Sequence, residues 1–174
     1  MSALRALRAL IVLAAACARR PADPPAADTA ARPGSRDTVA ISLERQPCFG
    51  TCPVYTVALD GSGAVHFEGR RFVKDTGTVE WQVPRERVDS LVHDIVAAGY
   101  FDLPDRYAMG QPACGRYATD LPTVITSVRI GSRTKEVHHD YGCEGAPERL
   151  AALERRIDEV AAVSGKRGAG SGER

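Results

Sequence analysis

The chain has 174 residues, with 23 Lys plus Arg against 22 Asp plus Glu and a formal net charge of +1. That balance excludes a general nucleic-acid binder, which needs a basic surplus, and 44% apolar with 26% charged residues excludes a disordered chain. Only ten residues separate Arg8 from Arg19, too few to span a bilayer.

Residues 1–17, MSALRALRALIVLAAAC, have the layout of an export signal. Arg5 and Arg8 supply its positive start, Leu10 to Leu13 its apolar stretch, and Ala14 to Ala16 the small residues a signal peptidase needs. Cys17 follows directly, and the combination resembles the lipobox of bacterial lipoproteins. The resemblance implies lipidation of Cys17 and a membrane partner reached through the lipid anchor. Two or more acyl chains hold stably, since each buried methylene is worth about 0.8 kcal/mol. Ala18 rather than Asp follows the cysteine, so in a diderm cell the resemblance implies sorting to the outer membrane, facing the periplasm. Residues 18–37 contain four prolines, many alanines and no aromatic residue, an extended tether with nothing to build a core from. Residues 164–174 are Gly- and charge-rich and are expected to be a disordered tail. A single folded domain is expected over residues 38–163.

Within it, Val39, Ile41 and Leu43 alternate with smaller or polar residues, the period-two pattern of a strand. Tyr55, Val57 and Leu59 begin a second strand. The Asp60-Gly61-Ser62-Gly63 turn then leads to Val65 and Phe67 as a hairpin. Another strand is expected at Val79, Trp81 and Val83, with residues 70–74 either their own strand or a continuation. Pro84 suits a first helical position, and Val88, Leu91, Val92, Ile95 and Val96 give residues 84–98 an amphipathic helical stripe closed by Gly99. Residues 101–119 show no period and read as a long, partly ordered loop. A second hairpin turns at Gly131-Ser132, between a strand with Val124, Thr126, Val128 and Ile130 and a return strand with Val137, His139 and Tyr141. A last helix starts near Pro147, with Leu150, Leu153, Ile157 and Val160 as its buried stripe. The expected fold class is α+β, an antiparallel sheet of five to six strands with two helices packed on one face.

Four cysteines remain besides Cys17, and an even number in an exported domain reads as a disulfide framework. Strand geometry favours Cys114–Cys143, because Cys143 emerges from the second hairpin beside the loop that carries Cys114. Cys48 and Cys52 are then left as the second pair. Fully extended they would lie about 13 Å apart, so residues 48–52 must turn, and Gly50 permits it. An inert structural bridge there is expected to be buried, with Phe49 or Tyr55 covering it. A reactive one would be accessible and flanked by a cation, a helix terminus or a third ligand.

The run from Ile41 to Val73, with its CxxxCPxY element at Cys48 to Tyr55 and its Glu68-Gly69 pair, closely resembles a bacterial family, the domain of unknown function (DUF) 6438. The segments Thr119 to Thr123 and Gly145 to Glu148 also match it, so the resemblance covers nearly all of residues 39–160. It implies an exported or lipoprotein domain and brings no activity.

The expected function is therefore a lipid-anchored, disulfide-stabilised binding or interaction module of the cell envelope, with an envelope protein or peptide as partner. No enzyme activity and no cofactor is expected: no serine has a motif partner, no glycine-rich loop opens a helix, and Asp120 reads as a turn residue. Trp81 and the tyrosines fall at core-like positions, His66 and His93 on polar faces. His138 and His139 are neighbours on a strand and so point to opposite faces. The alternative is a thiol redox or copper-handling protein acting through Cys48 and Cys52. With His138, 86 residues after Cys52, the pair resembles the copper-delivery proteins of cytochrome oxidase assembly, in which two thiolates and an imidazole suit Cu(I). There, however, CxxxC leads into a helix, and here Pro53 to Val57 leads into a strand.

Overall fold

Alternation along β1 (Val39–Arg45) places Ile41, Leu43 and Arg45 on one face, and the same rule runs through β2 (Val54–Asp60) and β3 (Ala64–Arg71). These strands, with β4 (Gly77–Gln82), form an antiparallel meander. The computed structural model describes residues 38–163. The expected signal segment 1–17 with Cys17, the tether and the tail lie outside the described residues. Helix α1 (Arg85–Ala97) follows, then β5 (Arg106–Tyr107), the hairpin β6 (Thr123–Ile130) and β7 (Arg133–Asp140), and α2 (Glu148–Val160).

All strands join one sheet in the order β4-β3-β2-β1-β6-β7-β5. The first strand in the chain is thus the central one. Leu43 lies opposite Val57 on β2 and opposite Thr126 on β6, which keeps the inward rows in register. Ile41, Leu43, Val57, Phe67, Val128 and Val137 make one core with Val88, Leu91 and Ile95 of α1 and Leu150, Ile157 and Val160 of α2. Burying each such side chain is worth about 1.5–3 kcal/mol. The two helices also meet each other, Arg156 pairing with Asp94 at 3.0 Å and Arg87 donating to the carbonyl of Glu159 at 2.6 Å.

Among the described residues, seven strands replace the expected five to six. The addition, β5, is two residues long and pairs in parallel with β7 through Arg106↔His138 and Tyr107↔His139. A two-residue strand is too short to show a period, and it is one of the ordered pieces within the partly ordered loop expected over 101–119. That stretch also holds short 3-10 turns at Tyr100–Asp102 and Pro112–Cys114 and a bridge from Tyr117 to Cys143. Pro84 sits just before α1 in extended conformation rather than as its first helical residue. Residues 70–71 continue β3, and the chain then folds tightly back. A Cβ on Gly69 would lie 1.9 Å from the carbonyl oxygen of Asp75, so only glycine admits that crossing.

Candidate functional site

One end of the sheet gathers every irregular feature of the strands around it. Here β1 runs out at Arg45, β2 starts beyond a bulge between Val54 and Tyr55, β3 ends at Arg71, and Thr123 of β6 faces Asp140 of β7. Four loops meet at this rim. The first is residues 46–53, closed by Cys48–Cys52 at a Cα separation of 5.8 Å. The Phe49 amide donates to the Asp120 carbonyl at 3.2 Å and the Gln46 amide to that of Thr123 at 2.9 Å, tying this loop to the one before β6. Phe72, in the β3–β4 loop, has a φ of 53°, and Asp120 has a φ of 72°. Positive φ in a residue other than glycine, above all in an aromatic one, is strained and concentrates where a chain binds or switches.

The side chains at the rim are apolar and outward. Among the described residues six large apolar side chains are exposed, and four of them, Phe49, Phe72, Tyr117 and Leu121, belong to these loops. Phe49 is the extreme at 87% exposure. The expectation that Phe49 or Tyr55 covers the bridge fails for both. Closing a bridge over five residues turns the middle of the loop away from the sheet, and Tyr55 is committed to the core. Tyr117 also departs from the core position expected of the tyrosines: it lies over Gly142 and donates to Asp140 at 2.9 Å. Arg71 stacks on Phe72 at 5.1 Å, an aromatic–cation pair presented to solvent.

Beneath the rim lies a buried polar network whose pairings no local pattern in the sequence discloses. Asp158 of α2, fully buried, accepts from Arg45 Nη2 at 2.7 Å, Arg45 Nε at 3.0 Å and the Tyr55 hydroxyl at 2.8 Å. One turn earlier Glu154 accepts from His139 Nδ1 at 2.9 Å and from the Tyr141 hydroxyl at 2.7 Å. The His139 ring stacks on Tyr141 with centroids 4.5 Å apart, and Tyr141 lies within reach of the Arg45 charge, which joins the two halves. Burial works against the Arg45 charge, but the Asp158 carboxylate outweighs it and holds the guanidinium charged. Every member has a partner, so the network acts as a clamp between α2 and the sheet.

Burial, and then the Glu154 charge, pushes the Tyr141 hydroxyl well above its ordinary value of 10.0. Burial does the same to Tyr100, whose hydroxyl also bonds Thr126. A group whose folded pKa is raised gives stability that is whole below its unfolded pKa and lost as pH rises past it. The domain should therefore lose stability above about pH 10. Phenolate absorbance at 295 nm from these two tyrosines should rise together with unfolding, and a rise ahead of unfolding would contradict their burial.

The remaining sequence-selected residues are dispersed. Cys114 and Cys143 form the second bridge, their Cα atoms 4.5 Å apart. His138 points away from the core and bonds Glu136 at 2.8 Å, while Cys48 and Cys52 bond each other. Among the described residues no three His, Cys, Asp or Glu side chains gather as a metal site. His66 bonds Glu80 on the uncovered face of the sheet, beside an open trough of about 620 Å³ floored by Ala40 and Ala58. Glu154 and Asp158 were legible in one respect: both fall on the Leu150–Ile157 stripe, where acids need partners. Residues 39–161 match the family model described as a domain of unknown function, DUF6438. A comparison with curated proteins finds no match for the chain.

Proposed function

We propose a function from one premise: this chain belongs to the DUF6438 family, a domain of unknown function. Its role is that of a cell-envelope module that binds an envelope protein or peptide through the rim, held at the outer membrane, on the periplasmic side, by a lipid on Cys17. The observation that carries this reading is the gathering of Phe49, Phe72, Tyr117 and Leu121 on three neighbouring loops. Apolar side chains scattered singly mean little, whereas clustered exposure marks an interaction surface. The Phe49 loop is bonded to Asp120 and Thr123, and the Tyr117 segment to Gly142 through Ala118, so a partner meets a preorganised surface. The anchor is supported by the signal-like residues 1–16 ahead of Cys17.

A photo-crosslinking amino acid placed at Phe49 or Leu121 tests the reading in cells of the native host, with His66 on the uncovered sheet face as the comparison site. Adducts of one defined mass are expected from the two rim positions and not from His66. Equal adducts at all three, or none at the rim, would overturn the rim as a docking surface. Incorporation of labelled fatty acid, abolished by Cys17→Ser, is expected in the same cells, and unchanged labelling of that variant would refute the anchor.

A further inference from the structure

The two disulfides occupy opposite surroundings. Cys114 and Cys143 are 1% and 4% exposed, inside the core. Cys48 and Cys52 are only partly covered, and the three residues between them are all exposed. Thiol–disulfide exchange requires a thiolate to reach a bridge sulfur, so access alone separates the two bridges kinetically.

The chain on either side of Cys48–Cys52 is fixed independently of it. Arg45, three residues before, and Tyr55, three residues after, are both held by Asp158. Both also stand in the strand register, opposite each other. If the bridge opens, the ends of β1 and β2 keep their places, and only the loop between them is freed. What the loop carries is Phe49, whose position is otherwise set by a single backbone bond to Asp120.

We propose that Cys48–Cys52 is a thiol–disulfide exchange site that sets the state of the rim: closed, it holds the Phe49 amide against the Asp120 carbonyl; open, it releases Phe49 and weakens docking. The effect on docking rests on the rim reading above. The co-reactant is a protein dithiol of the oxidoreductase class. Its thiolate attacks one bridge sulfur, the Cys48–Cys52 bond breaks, and a mixed disulfide forms as the other sulfur leaves and takes a proton. The second thiol of the dithiol, deprotonated, then attacks the mixed disulfide and releases the remaining cysteine as a thiol. Two electrons and two protons pass to the bridge, and the dithiol becomes a disulfide.

The test uses the full chain, exposed to dithiothreitol and quenched at intervals with an alkylating agent, each cysteine being read by peptide mass. Cys48 and Cys52 should become alkylated together, at least 100-fold sooner than Cys114 and Cys143. In a Cys48→Ser/Cys52→Ser variant, hydrogen exchange at the Phe49 amide should quicken at least tenfold while Leu43 and Val57 remain protected. Opening of both bridges at similar rates, an unchanged Phe49 amide, or loss of protection at Leu43 would each overturn the proposal. The crosslinking result bears on docking alone: missing rim adducts in the wild type remove the docking role and leave local exchange standing. Simultaneous opening of the bridges does the reverse.

Discussion

Asp158→Ala should destabilise the domain by about 3–5 kcal/mol, the loss typical of breaking a buried ion pair from one side. The substitution removes the acceptor of three hydrogen bonds, two from Arg45 and one from Tyr55. It strands a guanidinium with only 14% side-chain exposure, so most of the charge is left without a carboxylate and away from water. Since small domains are stable by about 5–15 kcal/mol, the variant should unfold at a much lower urea midpoint or fail to accumulate. Replacing Arg45 by Met together with Asp158 by Leu should recover much of that loss, because neither charge is then left alone. For contrast, Arg116→Ala breaks a pair with Glu144 that stands in solvent at 86% and 55% exposure, and should change stability by less than about 1 kcal/mol. An Asp158→Ala loss as small as that of Arg116→Ala would show that the network is not a clamp.

Second in size is the loss of the Cys114–Cys143 bridge. Its cysteines are 29 residues apart in sequence, and in the chain-entropy account a loop of that length is worth about 3–4 kcal/mol. The Cys114→Ala/Cys143→Ala variant should show that loss in urea unfolding. It should also free the 108–122 segment, whose Ala118 and Cys114 backbone groups bond Gly142 and Gly145 across the bridge. Cys48 and Cys52 are only four residues apart in sequence, and removal of their bridge should cost no more than about 2 kcal/mol. Equal losses for the two double variants would contradict the division of labour between a structural bridge and a labile one.

Regular elements were legible because their periods are written in single segments. Ile41 and Leu43, Val57 and Leu59, and Val124 to Ile130 alternate, and the two helical stripes repeat at the expected spacing. β5 was not legible, since two residues carry no period and their parallel partner lies some thirty residues on. The clamp was half legible. Continuing the alternation of β1 puts Arg45 inward, and the stripe of α2 puts Glu154 and Asp158 inward, so three charges were owed partners in the core. That Arg45 finds Asp158 across 113 residues is a fact of topology, which local pattern does not reach. The rim was legible only as composition, an aromatic between two cysteines. Its outward direction follows from loop closure in three dimensions.

The place of β1 in the middle of the sheet bears on when this fold can finish. A chain that emerges from its N-terminus presents β1 first, yet one of its two neighbours, β6, extends to Ile130. Until that residue arrives, the early meander has an open flank at its central strand and lacks α2, which carries the partners of Arg45 and His139. Pairings so distant in sequence also form slowly, because the intervening chain must be ordered before they repay it. From the order of strands, the described domain is expected to complete the pairing of its central strand only once residue 130 is available.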